Sequence, residues 1–548
     1  MIKPEYNTYK YGEKACTASA QSRVECRISA AEIGEILAVR VEAYPENCNA
    51  ENGGAEYGGK ALFTMVCLGE EKHVFRVEKG VEFSHRIECE TIAENDFCVP
   101  ELSVTDVSRR REGTHIVVSA VVCASVGVYK DKELLCLSGG EGVVVKKENA
   151  AFYTTSVSVS EGEQADEFET AHFSDILLHD EHIAVKSVTR ENGVAVVEGE
   201  IALNVCVLKS DDTPMTYERL VPFRAETELK TNEFSSEKSE NDGGSYVFAE
   251  DSYAPFADIS GKTDGAAQNT GAAQDSSAQH GEEKNGDVRL RAKAMMKSAI
   301  ITAETSEAQN KSTIKASFSF IVVVEADVCA RFAVATDAYS VSSELRLNEQ
   351  TIQKRRLKSV KYYVKKVEGE AALNASIDYT TAFLATALPN GEASAKRVSD
   401  SAFEIEGAVV ARLFKSDQSG LSAADVTLPF LLTETGEIGE QDETEVSVVA
   451  CSIAVKQKKE GVAEAEATLK ITVCTYEKEN LSCIVGADEG EAYAEERCAL
   501  SVLLPRAGDG LWETAKNLRK TPEEVQRSNP DLVFPLKGNE RIIVYNGR

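Results

Sequence analysis

Alternation of apolar and polar residues with a period of two runs through most of this 548-residue chain. In ATLKITVCTY, Leu469, Ile471 and Val473 alternate with Thr468, Lys470 and Thr472, the pattern of a strand with one buried and one wet face. Val, Ile, Thr, Phe and Tyr fill similar runs around 116–128, 194–208, 314–324 and 446–455, the composition that suits a pleated, half-buried surface. Turn signals such as Glu191-Asn192-Gly193 and Ser210-Asp211-Asp212 separate them. Helical spacing is scarce before the last fifty or so residues. The body is therefore expected to be mostly β.

Internal repetition organises those strands. VVEGEIALNVCVLKSDD (196–212) resembles FEIEGAVVARLFKSDQ (403–418): in both, Glu-Gly opens an apolar strand that closes on Lys-Ser-Asp. Downstream, LVPF (Leu220 to Phe223) matches TLPF (Thr427 to Phe430), and a weaker copy begins at YGGKALFTMVCLGEE (57–71). SAVVCASVGVYKDKEL (119–134) parallels EADVCARFAVATDAYSVSSEL (325–345) and TLKITVCTYEKE (468–479), with Cys123, Cys329 and Cys474 in matching places. The reading is an N-terminal segment 1–24 and three tandem β-sandwich-like modules at 25–165, 170–365 and 370–500, then a small α+β unit at 501–548. Between 231 and 287 the composition turns to Ser, Gly, Ala, Asn, Gln and acids, too poor in apolar surface to offset ordering entropy; a disordered acidic insertion inside the second module is expected.

Charge narrows the function classes. Lys and Arg number 60 against 90 Asp and Glu, a formal net charge of −30. Nucleic-acid binding draws its affinity from neutralised phosphates, so a nucleic-acid partner is not expected. No run approaches the roughly 18 apolar residues of a spanning helix, and the start MIKPEYNTYKYGEK shows no secretory pattern. The expectation is a soluble cytoplasmic protein with no membrane span. The 14 cysteines include no CxxC and no zinc-ligand spacing, and most lie inside strand-like runs. Buried structural thiols are the main reading; redox or cross-linking roles are the other, through exposed candidates such as Cys48.

No catalytic or metal residue and no cofactor is assigned. Ser260-Gly261-Lys262-Thr263 ends like a phosphate-binding loop, but Phe256 stands where the first glycine belongs. Gly139-Gly140-Glu141-Gly142 reads as a turn. His179-Asp180-Glu181-His182 has metal-site crowding, yet on a strand residues three apart point to opposite faces, so a solvated loop is expected. Arg109-Arg110-Arg111 and Lys354-Arg355-Arg356 are basic islands expected in solvated turns. An enzyme is not expected.

The last residues change style. Leu511, Thr514, Ala515 and Leu518 fall at helical spacing, and a second helix is expected from Thr521, with Pro522 first and Glu524 closing a capping box. Short strands at 501–504 and 541–545 complete a β-α-α-β order. That order, with Gly508-Asp509, Leu511-Trp512 and Asn529-Pro530-Asp531-Leu532, resembles a LysM domain. Beside it, EGEIALNVCVLKSDD, the LVPF and TLPF strands and TDAYSVSSELRL (336–347) resemble the SPOCS domain of spore-coat proteins from endospore-forming bacteria. The combination is similar to clostridial coat-morphogenesis proteins that tether the coat to the forespore.

The resemblance implies a structural adaptor in the mother-cell cytoplasm, at the forespore surface and in the spore coat. It implies a coat-basement ATPase as partner, with peptidoglycan as the alternative. LysM loops line a groove for N-acetylglucosamine polymers; here they correspond to Gly508, Asp509, Gly510, Leu511 and Trp512, and to Asn529, Pro530, Asp531 and Leu532. Gly510 replaces the usual hydroxyl residue, which removes a hydrogen-bonding group from that groove. Three readings stand for Trp512 and its loops: core of a tiny domain and nothing more, partner contact by the surrounding loops, or sugar binding.

Overall fold

A computed structural model describes residues 2–69, 71–230, 288–306, 310–373, 383–399, 401–418, 420–459, 462–494 and 500–545. Strands dominate, because a chain with every second residue apolar has one face to bury and pairs into sheets. The expected insertion at 231–287, and with it Ser260 to Thr263, lies outside the described residues.

The first six strands are β1 (Lys3–Ser29), β2 (Glu35–Glu51), β3 (Gly54–Leu68), β4 (Val74–Glu88), β5 (Phe97–Glu112) and β6 (His115–Glu141). They form two antiparallel sheets ordered β1-β6-β5 and β2-β3-β4. The next six repeat the scheme: β7 (Val143–Ala171), β8 (Asp175–Glu191), β9 (Val194–Leu208), β10 (Pro214–Glu228), β11 (Val288–Ser306) and β12 (Lys311–Ser340). Their sheets are β7-β12-β11 and β8-β9-β10. The third set is β13 (Ser343–Leu373), β14 (Phe383–Ser399), β15 (Ala402–Asp417), β16 (Gly420–Thr435), β17 (Glu443–Lys459) and β18 (Val462–Ala492). Its two triplets, β13-β18-β17 and β14-β15-β16, are joined by a short β13–β16 pairing at Ala372 and Thr427.

This grouping differs from the sequence-derived boundaries by one strand per unit. Residues 1–24 are no separate segment but most of β1, and β7 and β13 open the units that the sequence reading had them close. The first strand of each unit pairs with its last, as Lys3 does with Glu141. Pairing at that separation leaves no local trace in the alternation. In each unit the two sheets enclose an apolar core, built on Phe63, Met65 and Val118 in the first, Ile201, Phe223 and Phe318 in the second, and Phe403, Leu428 and Leu469 in the third.

The Glu-Gly and Pro-Phe signatures have one physical cause. Gly59, Gly199 and Gly407 pair across strands with Phe83, Phe223 and Phe430. A methyl on these glycines would collide with the carbonyl oxygens of Tyr44, Ala184 and Glu392 respectively. The bare backbone lets the neighbouring strand come close, and the aromatic partner lies across from the missing side chain.

Charged residues are buried where the units meet. His179-Asp180-Glu181-His182, expected as a loop, lies inside β8, with His179, Asp180 and Glu181 buried. Arg40 from the first unit donates to Glu181 at 3.2 Å, and Tyr44 donates to Glu181 at 2.8 Å and to Glu42 at 2.7 Å. Asp180 accepts from the Leu388 amide of the third unit at 2.7 Å. Burial pushes the Glu42 carboxyl well up despite Arg40, with Glu181 adding to the rise. Against the same burial, Arg40 and hydrogen bonds from His179 and Tyr44 hold Glu181 far below its usual range.

Lys354-Arg355-Arg356, expected in a turn, lies mid-β13, with Lys354 buried. Arg355 donates to Glu445 at 2.9 Å, and Arg291 of the second unit reaches Glu445 at 2.6 Å and Glu325 at 3.4 Å. Both clusters fail as solvated loops for one reason: polar partners on other units satisfy these groups only after folding. By contrast, Arg109 to Arg111 are exposed at the end of β5.

Gly407→Ala should lower the stability of the chain by about 1–3 kcal/mol, because the methyl overpacks the β14–β15 approach. Gly369→Ala, where the methyl would make only an ordinary contact with Leu428, should stay within about 0.5 kcal/mol. Urea unfolding midpoints of the two variants provide the comparison.

Candidate functional site

The C-terminal unit follows the expected order: β19 (Leu500–Leu503), α1 (Leu511–Leu518), α2 (Pro522–Ser528) and β20 (Ile542–Tyr545), with β19 and β20 antiparallel. The α2 start is the predicted capping box, Thr521 accepting from the Glu524 amide at 3.2 Å and Glu524 accepting from the Thr521 amide at 3.0 Å. Gly510 is the N-cap of α1, in extended backbone and with no side-chain cap to offer. Ala515, Val525, Leu536, Ile542 and Val544 are the buried centre, flanked by half-buried Leu511, Leu518 and Leu532.

The first predicted loop lies beside Leu536, four residues beyond the second. The Gly508 amide donates to the Leu536 carbonyl at 2.7 Å, and the Leu536 amide donates to the Asp509 carbonyl at 2.9 Å. Gly508 sits at φ +96, where a side chain would strain the turn. The Asp509 carboxylate accepts from the Arg506 amide at 3.0 Å and so closes its own turn. Asn529 is buried: its amide donates to the Val525 and Ile543 carbonyls at 3.0 and 2.8 Å, and its oxygen accepts from the Ile543 amide at 2.7 Å. That side chain braces α2 to β20 and has no group left to offer a ligand. Of the second loop, Pro530 and Asp531 are exposed.

Trp512, the single tryptophan, is at a seam. Its indole Nε1 donates to Asp337 Oδ2 at 2.8 Å, and its ring meets Tyr339 edge-on at 5.1 Å between centroids. Lys516 Nζ reaches both Asp337 oxygens at 2.6 and 2.8 Å, and the Tyr339 hydroxyl donates to the Lys520 carbonyl at 2.6 Å. Arg519 lies over the Tyr493 ring at 3.6 Å. One face of α1 is thus clamped onto the end of β12. Asp337 and Tyr339 were missed as site residues, although both stand in the TDAYSVSSELRL segment; only the partner across the seam gives them their role.

Family models, curated proteins and solved structures were all compared with the chain, and none matched. Among the described residues no helix is long and apolar enough to cross a membrane, and no group of three His, Cys, Asp or Glu is placed to hold a metal ion.

The C-terminal unit also exposes a strip of apolar side chains. Val502 and Ile543 pair across β19 and β20 and are 56% and 39% exposed, flanked by Leu500 at the start of β19 and Leu504 just past its end, at 54% and 71%. Leu503 and Ile542, the alternate residues, face inward.

Burial tends to raise Asp337, but the hydrogen bonds from Lys516 and Trp512 hold it below its usual value. A depressed carboxylate contributes stability above its unfolded pKa, about 3.9, that is lost as pH falls through the folded value. The lone tryptophan reports this directly. Its emission should hold steady down to about pH 4 and shift on further acidification, whereas Asp337→Ala should show the shifted emission already at neutral pH. Unchanged emission in that variant would remove Asp337 from the clamp.

Proposed function

We propose that this chain is a non-enzymatic adaptor of spore-envelope assembly. Its three β units serve as a scaffold, and its LysM-like unit docks a coat-basement ATPase at the forespore surface, on the mother-cell side. The observation that carries the reading is the exposed strip of Leu500, Val502, Leu504 and Ile543. Contiguous apolar surface of this kind marks protein contacts. It favours a protein over a sugar polymer, whose recognition calls for hydroxyl and amide partners. The clamp at Trp512 supports the same reading, since it holds the strip in a fixed direction relative to the body and lowers the ordering cost of docking. A formal charge of −30 opposes nonspecific self-association.

The experiment uses the full chain and a purified coat-basement ATPase from the organism that makes it. Wild type should capture the ATPase, and a Val502→Asp, Leu504→Asp double variant should lose at least about tenfold in affinity while its Trp512 emission stays unchanged. Asp531→Ala, in the loop that LysM domains turn toward glycans, should leave capture intact. Equal capture by the double variant would sink the strip. Binding of wild type to insoluble peptidoglycan that chitin oligomers compete away, with no ATPase captured, would replace the adaptor with a glycan binder.

A further inference from the structure

Six cysteines meet as three pairs, each crossing between sheets. Cys16 Sγ and Cys89 Sγ are 4.0 Å apart, and the thiols of Cys48 with Cys98 and of Cys136 with Cys483 are close enough to shift each other's titration. Cys16 lies in β1 and Cys89 immediately follows β4, so the first pair faces across the two sheets of the first unit. Cys48 in β2 and Cys98 in β5 bridge the same two sheets; Cys136 in β6 and Cys483 in β18 join the first unit to the third.

The pairs differ in access. Cys136 and Cys483 are 0% and 3% exposed, whereas Cys16 and Cys89 are half-buried. The Thr91 hydroxyl lies 3.1 Å from Cys89 Sγ and 3.4 Å from Cys16 Sγ. Thr91, by hydroxyl and amide, pulls the Cys89 thiol below its usual range, while burial pushes Cys16 up. That asymmetry gives one attacking thiolate and one waiting thiol. Cys89 stands in a turn, outside the β3–β4 ladder that ends at Glu88, and the sulfurs must close from 4.0 Å to the ~2.0 Å of a bond.

We propose that Cys89 and Cys16 form an oxidisable dithiol that closes into a disulfide stapling the two sheets of the first unit, with a low-molecular-weight disulfide as oxidant. The Cys89 thiolate attacks one sulfur of the small disulfide, and one small thiolate leaves. Cys16 gives up its proton and attacks the Cys89 sulfur of the mixed disulfide, and the second small thiolate leaves. Two protein thiols are oxidised, one small disulfide is reduced to two thiols, and the two protons end on them.

The test uses the reduced full chain with oxidised glutathione, quenched by alkylation and mapped by mass spectrometry of its peptides. A Cys16–Cys89 linked peptide should form about tenfold faster than any Cys136–Cys483 link. Cys16→Ser should accumulate glutathione on Cys89, and Cys89→Ser should leave Cys16 open to alkylation. Limiting iodoacetamide on the wild type needs no variant and should label Cys89 ahead of Cys16, Cys136 and Cys483. The proposal falls if wild-type Cys89 stays as the mixed glutathione disulfide, if Cys16 links elsewhere, or if Cys89 is not labelled ahead of these three.

Discussion

The first and last strand of each unit must serve two cores at once. β1, β6, β7, β12, β13 and β18 run 27 to 31 residues, while every other strand of the units has 15 to 19. One half of each long pair closes its own unit. The other half projects to a common junction, where Tyr9 and Leu134, Phe152 and Phe332, and Ile352 and Leu481 pack together, one pair of residues from each unit. A second shared cluster joins Ile2, Ala338 and Ile484, and a third joins Val66, Cys206 and Phe414 from the shorter strands. The outer halves of the long strands are buried only where the three units meet.

Charge enforces the same arrangement. Arg40, Glu181 and the Leu388 amide come from three different units, as do Lys14, Glu325 and Glu445. Buried ion pairs of this kind add little net stability over apolar packing, because desolvation offsets their attraction. Their effect is on uniqueness: a slipped or swapped unit would leave a bare charge in the interior. Arg40 sits between two of these carboxylates, contacting both Glu42 and Glu181.

Strand content and the β-α-α-β ending were legible because both write themselves into local periodicity. The repeats were legible in part. The Glu-Gly and Pro-Phe signatures pointed to real cross-strand pairs, Gly199 with Phe223 and Gly407 with Phe430. The first and second units show why a longer register escaped notice: β2, β3 and β4 begin at 35, 54 and 74, and β8, β9 and β10 at 175, 194 and 214, a constant shift of 140 under almost unrelated side chains. Pairing of first and last strands was illegible because it depends on contacts far apart in the chain. Glu181 and Lys354 were misplaced as solvent-facing for the same reason, their partners lying on other units. At the loops, Asn529 looked like a ligand group but is spent on the backbone, whereas Asp337 looked ordinary until Trp512 was set against it.

The body has three corners of one kind, where a last strand ends. At the first corner Gly139 and Gly140 leave no side chain to grip. The second offers Asp337 and Tyr339, and the C-terminal unit sits there. Three units of one plan therefore carry a single C-terminal unit, seated at only one of them, and so have a compass direction that the repeats alone would lack. Molecules gripped by that unit would all face the same way, and a layer built from them would inherit a polarity within its own plane.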